Sequence, residues 1–249
     1  MNADHQAKAM ILAAGKGLRM RPVSDHTPKP LVQVRGRSIL RRAIDKLRAH
    51  SVSSFVINVH HLADKICDDL TDEVESGSAI ISDERDALLE TGGSVMKALP
   101  WLAEDKFFVL NCDVVWNENE HSVLGRLEHY WDPDRMDVLL LMVPLDQAHG
   151  YDGVGDFFMD QSGVSDCGPL AFRDDAASAP FVFGAVQIVK ASMYNDMPDG
   201  PWSNREVFRK AAALGRLFGL LHTDGWFHVG TQDAISEAEQ HMQTEGWLP

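Results

Sequence analysis

Apolar and polar positions follow two rhythms along this chain. Up to about residue 115, short apolar runs (Ala9–Ala14, Ser54–Val59, Ala79–Ser82 and Phe107–Leu110) alternate with stretches whose apolar residues recur every three or four positions. Short apolar runs bounded by polar turns predict strands buried on both faces, and the longer period predicts helices that cover them. The clearest helix starts at a Ser38 cap and runs to His50, with Ile39, Leu40, Ala43, Ile44 and Leu47 on one face. Leu62, Ile66 and Leu70 mark a second helix. A third, Val95–Leu99, is opened by Glu90-Thr-Gly-Gly-Ser and stopped by Pro100. Strand and helix alternating in this way imply a parallel sheet with helices on both faces.

The second half changes character. Val138–Pro144 reads as a strand, followed by a loop from Gln147 to Gly155 that contains three glycines. Phe157–Met159, a turn at Gln161-Ser162-Gly163, and Phe181–Val189 suggest a hairpin and mixed-sheet strands. A helix over 204–214, strands Leu217–Leu221 and Trp226–Val229, and a closing helix Asp233–Thr244 complete the pattern. The expectation is an α/β fold with a mostly parallel, mixed central sheet. No repeat or linker divides it, so 1–249 reads as one domain with halves 1–115 and 116–249.

The first run carries the candidate chemistry. It breaks at Gly15, Gly17 follows, and Lys16, Arg19, Arg21 and Lys29 gather four cations before position 30. Small residues after a buried strand let backbone N–H groups approach an anion. Pro28 and Pro30 stiffen the backbone on both sides of Lys29. A third glycine, needed for a dinucleotide loop, is replaced by Met20, and no Gly-Lys-Ser/Thr closes a Walker loop. An ordinary strand–turn–helix with solvated cations stays open at this point. Phe107–Leu110 runs into Asn111-Cys112-Asp113, placing a carboxylate at a strand's carboxyl end, where open α/β sheets hold ligands. The two glycines after Thr91 suit close approach to a ligand. His60 and His61 read as loop or capping residues, since no Cys or carboxylate stands at ligand spacing.

Composition narrows the function classes. The formal net charge of −14 argues against a nucleic-acid surface and against an anionic membrane. It leaves room for a nucleotide, which needs only a local cationic loop. Three scattered cysteines form no disulfide framework or Cys-x-x-Cys site. The polar start and a first apolar run of about six residues predict no signal peptide or spanning helix. A cytoplasmic setting is the expectation.

Ala13-Ala14-Gly15-Lys16-Gly17-Leu18-Arg19-Met20-Arg21-Pro22, followed by Pro28-Lys29-Pro30-Leu31, resembles the signature of the sugar-1-phosphate nucleotidyltransferases. Later segments extend the likeness: Glu90-Thr-Gly-Gly93, Asn111-Cys-Asp113, Gly155-Asp156-Phe157, Gly184, and Trp226-Phe-His-Val-Gly-Thr231. The resemblance implies a Rossmann-like nucleotidyltransferase fold, with a nucleoside triphosphate and a sugar 1-phosphate as partners. It implies that Ala13, Ala14, Gly15, Lys16, Gly17, Glu90, Gly92, Gly93 and Asn111 bind the nucleotide, and that Asp156 and Gly184 lie on the sugar side. Arg19 and Lys29 become the catalytic groups acting on phosphate, and Asp113 the ligand for Mg²⁺. A homodimer is left open.

Two departures stand out. The family's second metal-binding aspartate is His228 here, and a neutral imidazole suits hard Mg²⁺ less well than a carboxylate. The expectation is that Asp113 holds the ion together with triphosphate oxygens and water; substitution by another acid such as Asp224, or weak catalysis, are the alternatives. No lysine occurs between Lys106 and Lys190, so the mid-chain lysine of thymidylyltransferase relatives is missing. The motifs look most like the N-acetylmuramate-1-phosphate uridylyltransferases of bacterial cell-wall recycling. A mannose-1-phosphate guanylyltransferase is the alternative, and a nucleotide-sugar-binding regulatory subunit that has lost turnover is the alternative of another class.

Overall fold

The computed structural model describes residues 8–103, 105–160 and 166–247. In chain order its strands are β1 (Ala9–Leu12), β2 (Gln33–Val34), β3 (Arg37–Ser38), β4 (Phe55–Val59), β5 (Ala79–Asp83), β6 (Lys106–Asn111) and β7 (Val114–Trp116). They continue as β8 (Val138–Pro144), β9 (Ala148–His149), β10 (Phe157–Met159), β11 (Cys167–Phe172), β12 (Phe181–Lys190), β13 (Leu217–Leu221) and β14 (Trp226–His228). The helices are α1 (Ile39–Ala49), α2 (Ala63–Asp69), α3 (Thr71–Glu75), α4 (Glu90–Ala98), α5 (Val123–Tyr130), α6 (Arg205–Ala213) and α7 (Gln232–Thr244).

Nine strands form one sheet in the order β10-β11-β13-β8-β12-β6-β1-β4-β5, so the two halves of the chain share it. The first half is parallel throughout: β1 lies between β4 and β6, and β5 extends the edge beyond β4. Strand β12 pairs antiparallel to both β6 and β8, which makes the sheet mixed.

Alternate residues of each central strand leave opposite faces. Ala9 and Ile11, Phe55, Ile57 and Val59, and Phe108 and Leu110 meet α1, α2, α5 and α7. Met10, Val56, Phe107 and Val109 meet α4 and α6 on the other side. Helix α1 begins where the Ser38 side chain accepts the Arg41 amide, and it buries Ile39, Leu40, Ala43, Ile44 and Leu47. Each large apolar side chain so buried contributes roughly 1.5–3 kcal/mol relative to exposure.

The expected elements stand, with differences, and helix α5 and strands β2, β3 and β11 are added to them. Helix α4 starts at Glu90, so Thr91, Gly92 and Gly93 lie inside it rather than ahead of it. The hairpin partner of β10 is β11, whereas β12 meets β10 only at Phe157↔Phe181. The helical stretch after Leu62 divides into α2 and α3 around Leu70. A small second sheet, β7-β14-β9, was not legible. The expected turn at 161–163 lies outside the described residues. Among the described residues no helix is long and apolar enough to cross a membrane.

The small sheet places the last motif beside the first. Strand β14 runs antiparallel to β7 with His228 opposite Val114, and the Val229 amide donates to the Asp113 carbonyl at 2.9 Å. His228 therefore stands next to Asp113, although 115 positions separate them in the chain.

His222, just after β13, is fully buried, and neither ring nitrogen has a partner of normal hydrogen-bond geometry. Burial is the main reason its pKa falls to about 4 from an ordinary 6.5. Above pH 6.5 the ring is neutral whether the chain is folded or not. Below it, the unfolded chain takes up a proton that the folded one refuses until about pH 4, so stability falls across that window by about 3 kcal/mol. Urea denaturation from pH 7 to pH 4 should therefore fall less steeply for His222→Leu than for the wild type. Parallel slopes would remove His222 as the cause.

Candidate active site

Strands β1, β4 and β6 are in register so that Leu12 stands opposite Asn58 on one side and Asn111 on the other. The chain leaves all three strands at the same edge. A cavity of about 370 Å³ opens there, lined by Leu12–Gly15, Lys29, Pro30, Asn58, Leu88, Glu90, Thr91, Ser94, Asn111–Asp113 and Ser203.

Asn58 organises its floor. Its Oδ1 accepts the Ala13 amide at 2.7 Å, and its Nδ2 donates to Glu84 Oε1 at 3.0 Å and Ser94 Oγ at 2.9 Å. Beyond Ala13, Gly15 is exposed and has open space where a side chain would project. Gly17 has φ of +60°, and a Cβ there would crowd the Lys29 and Ser24 side chains, at 3.1 and 3.3 Å. The left-handed turn thus lets the loop fold back over the short 3-10 turn Lys29–Leu31.

Lys29 and Asp113 meet at the mouth: Lys29 Nζ lies 3.4 Å from Asp113 Oδ2, and Lys29 is largely buried. The same oxygen is 3.7 Å from His228 Nε2. Burial opposes the Asp113 charge, but Lys29 and then His228 overcome it and hold the carboxyl well below the usual carboxylate range. Cys112, fully enclosed beside it, is pushed up by burial and remains a thiol. His228 Nδ1 lies 3.1 Å from the Gly150 carbonyl, which can only accept, so Nδ1 carries a proton and holds the ring with Nε2 towards Asp113. Arg19 Nη2 lies 3.4 Å from His228 Nε2. Arg19, His228, Asp113 and Lys29 form one chain of polar contacts across the mouth.

The remaining expected site residues separate into two groups. Ala13, Ala14, Gly15, Glu90, Asn111, Lys29 and Asp113 line the cavity; Lys16, Gly17 and Arg19 are on the loop at its rim. Gly92 and Gly93 do not face it, which corrects the expectation of ligand approach. A Cβ on Gly92 would overlap the Trp202 indole and one on Gly93 the Gly200 carbonyl, and both amides donate to the Trp202 carbonyl, at 2.8 and 3.2 Å. Their smallness lets the 200–202 segment pack onto α4.

A second cavity of about 240 Å³ shares Thr91, Asn111 and Ser203 with the first and is otherwise lined by Asp156, Phe157, Phe183, Gln187, Asn204, Arg205 and Phe208. Asp156 is therefore on this side, but Gly184 is not: it packs on Leu141, and its carbonyl accepts the Trp226 indole N–H at 3.2 Å. Sequence reasoning missed Asn58, Thr91, Ser94, Ser203, Gln187 and Arg205. The one signal was Asn58 itself, a polar residue inside the apolar run Phe-Val-Ile-Asn-Val. His60 and His61 bond the Glu84 and Ser24 carbonyls, at 2.7 and 2.9 Å, in keeping with a loop role.

Residues 9–144 match the family described as the MobA-like NTP transferase domain. The chain belongs to that family. It is 38% identical over 237 residues to the N-acetylmuramate alpha-1-phosphate uridylyltransferase of Caulobacter vibrioides, covering 94% of this chain and 96% of the relative. The enzyme of the same description from Neisseria meningitidis is 31% identical over 93% of this chain and 96% of its own. A UDP-glucose pyrophosphorylase solved with UDP-glucose superposes with a TM-score of 0.75 at 11% identity, covering 96% of this chain and 99% of that one, and shares the fold.

Asn58→Ala would leave the Ala13 amide and the Glu84 carboxylate without their buried partner, at a cost of about 2–3 kcal/mol. Denaturant titration should show that loss, with a raised KM for nucleotide because the Gly15 loop starts from Ala13. Wild-type stability in this variant would show that Asn58 does not hold the floor.

Proposed function

We propose that this protein transfers the uridylyl group of UTP to N-acetylmuramate 1-phosphate, giving the nucleotide sugar and pyrophosphate, and that it serves cytoplasmic recycling of cell-wall sugars. One observation supports this most: a chain alike over nearly its whole length to two such uridylyltransferases brings its glycine loop, Lys29 and Asp113 to one cavity.

In the proposed reaction an oxygen of the sugar phosphate attacks the α-phosphorus in line. The bond from that phosphorus to the bridging oxygen breaks, and pyrophosphate leaves with the electron pair. Negative charge grows on the phosphate oxygens, so catalysis rests on positioning and electrostatic stabilisation. Lys29, held between two prolines and already turned into the cavity, supplies a fixed positive charge. Arg19, exposed on the rim, supplies a second that can swing onto the phosphates. The backbone at Ala14, Gly15, Lys16 and Gly17 borders the triphosphate, while Ala13, whose amide is engaged by Asn58, positions the loop. Glu90 and Asn111 border the nucleoside.

The donor set suits a Mg²⁺ ion that brings most of its own ligands. Asp113 offers a carboxylate with the His228 ring nearby, and among the described residues no three His, Cys, Asp or Glu side chains converge as a metal cage. Asp113, water and phosphate oxygens are the proposed ligands; when bound, the ion neutralises phosphate charge.

Pairing UTP or GTP with N-acetylmuramate 1-phosphate or mannose 1-phosphate, read as pyrophosphate, tests the reading. UTP with N-acetylmuramate 1-phosphate should dominate; GTP with mannose 1-phosphate alone would establish a guanylyltransferase, and silence throughout a binding protein. In the productive pair, Lys29→Ala should lower kcat by roughly 10²-fold with folding intact.

Metal titration should give weak Mg²⁺ binding to the free protein and tight binding once nucleotide is added. Asp113→Ala should abolish turnover, His228→Ala should reduce it less, and His228→Asp should raise it. Tight binding without nucleotide, or equal losses at both positions, would make His228 a full ligand.

A further inference from the structure

The smaller cavity contains a hydrogen-bond donor with nothing to donate to. Gln187, on β12, is 1% exposed, and its amide nitrogen has no partner, yet the residue lines this cavity. Leaving such a group unpaired costs about 1–3 kcal/mol, a cost that a bound acceptor would remove. Arg205, the first residue of α6, lines the same cavity. Its guanidinium stacks near the Phe172 ring at 4.8 Å and the Phe157 ring at 6.0 Å, which restrains its plane. Its ionic partner is Asp156, at 3.6 Å. That is loose beside the 2.7–2.9 Å usual for a charge-assisted bond. The other Asp156 oxygen accepts the Phe183 amide at 3.1 Å.

Neither donor lines the larger cavity, and Lys29 and Asp113 do not line the smaller one; Thr91, Asn111 and Ser203 stand between. Arg205 and Gln187 thus face the part of an acceptor that lies away from the reacting phosphate. A guanidinium fork and an amide N–H lining one cavity match a carboxylate better than a hydroxyl, because a carboxylate can accept from both and carries the opposite charge. Muramate differs from glucosamine by a lactyl ether, that is, by one carboxylate.

We propose that Arg205 and Gln187 are specificity-determining residues that bind the acid group of a carboxylated sugar 1-phosphate. This rests on the reading above that the acceptor is such a sugar. A site built around polar groups rejects an analogue that lacks the matching group, since the buried donor is then left unpaired.

The test compares kcat/KM, with UTP, for N-acetylmuramate 1-phosphate and for N-acetylglucosamine 1-phosphate, in the wild type, Arg205→Ala, Arg205→Lys and Gln187→Leu. The wild type should favour the acid. Arg205→Ala should cut the ratio of the two constants by roughly 30-fold or more, mostly through KM of the acid. Arg205→Lys should restore part of it, and Gln187→Leu should cut it by about 10-fold. Losses equal on both sugars would mean that Arg205 grips the shared phosphate or only supports the fold, and would overturn this inference while the uridylyltransferase reading stands. A wild type that favours N-acetylglucosamine 1-phosphate would overturn both.

Discussion

A strand flanked by parallel neighbours on both sides and buried on both faces can place polar residues only at its ends. Strand β1 is in that position, and its register sets Asn58 and Asn111 on either side of Leu12. Everything the site uses follows from this pairing. The glycine loop starts where β1 ends, Asp113 stands two residues past the end of β6, and the bonds of Asn58 tie the beginning of the loop to α4 through Ser94. Shifting β1 by one residue would turn Ile11 and Met10 to the wrong faces and detach the loop from both asparagines. The hydrophobic register and the geometry of the site are therefore one constraint.

The electrostatics follow from the same placement. A chain with a formal charge of −14 is a poor general host for phosphates. It gathers Lys29 and Arg19 at the carboxyl edge of the sheet and sets Asp113 and His228 between them. Lys29 keeps Asp113 ionised against its burial, and Asp113 keeps Lys29 oriented into the cavity. Each group holds the other in the state that the proposed binding of a triphosphate with its cation would use. The exposed Arg19–Asp152 pair at 3.7 Å is too solvated to fix Arg19 in the same way. Arg19 is the most exposed member of the set.

Legibility followed range. Strands β1, β4, β5 and β6 could be read from their apolar runs, and Lys29 and Asp113 from local motifs. Strand β11 was hidden because Gly168 and Pro169 interrupt its apolar pattern, although Pro169 sits in the ladder opposite Phe218. Strands β7 and β9 are too short to show a period. Gln187 looks like one polar residue in an apolar strand, and Arg205 like a helix's first solvated cation. That they line one cavity depends on how β12 packs against α6, which a local pattern does not show. The glycines after Thr91 misled for a related reason. Smallness marks a close approach but not what approaches, and here it is Trp202 and the Gly200 backbone.

His228 shows how a departure from a family pattern can keep the geometry and change the chemistry. Strand β14 delivers whatever stands at position 228 to the side of Asp113 through its pairing with β7. An aspartate there would add a second negative charge beside the first, which a divalent ion would have to offset. An imidazole there adds no negative charge, and Lys29 remains the main charged neighbour of Asp113. In the proposed reaction, with no second carboxylate beside it, a cation at Asp113 would depend on the charge its nucleotide brings. Metal and triphosphate would then arrive as one ligand, and the residue at position 228 would set the order of binding.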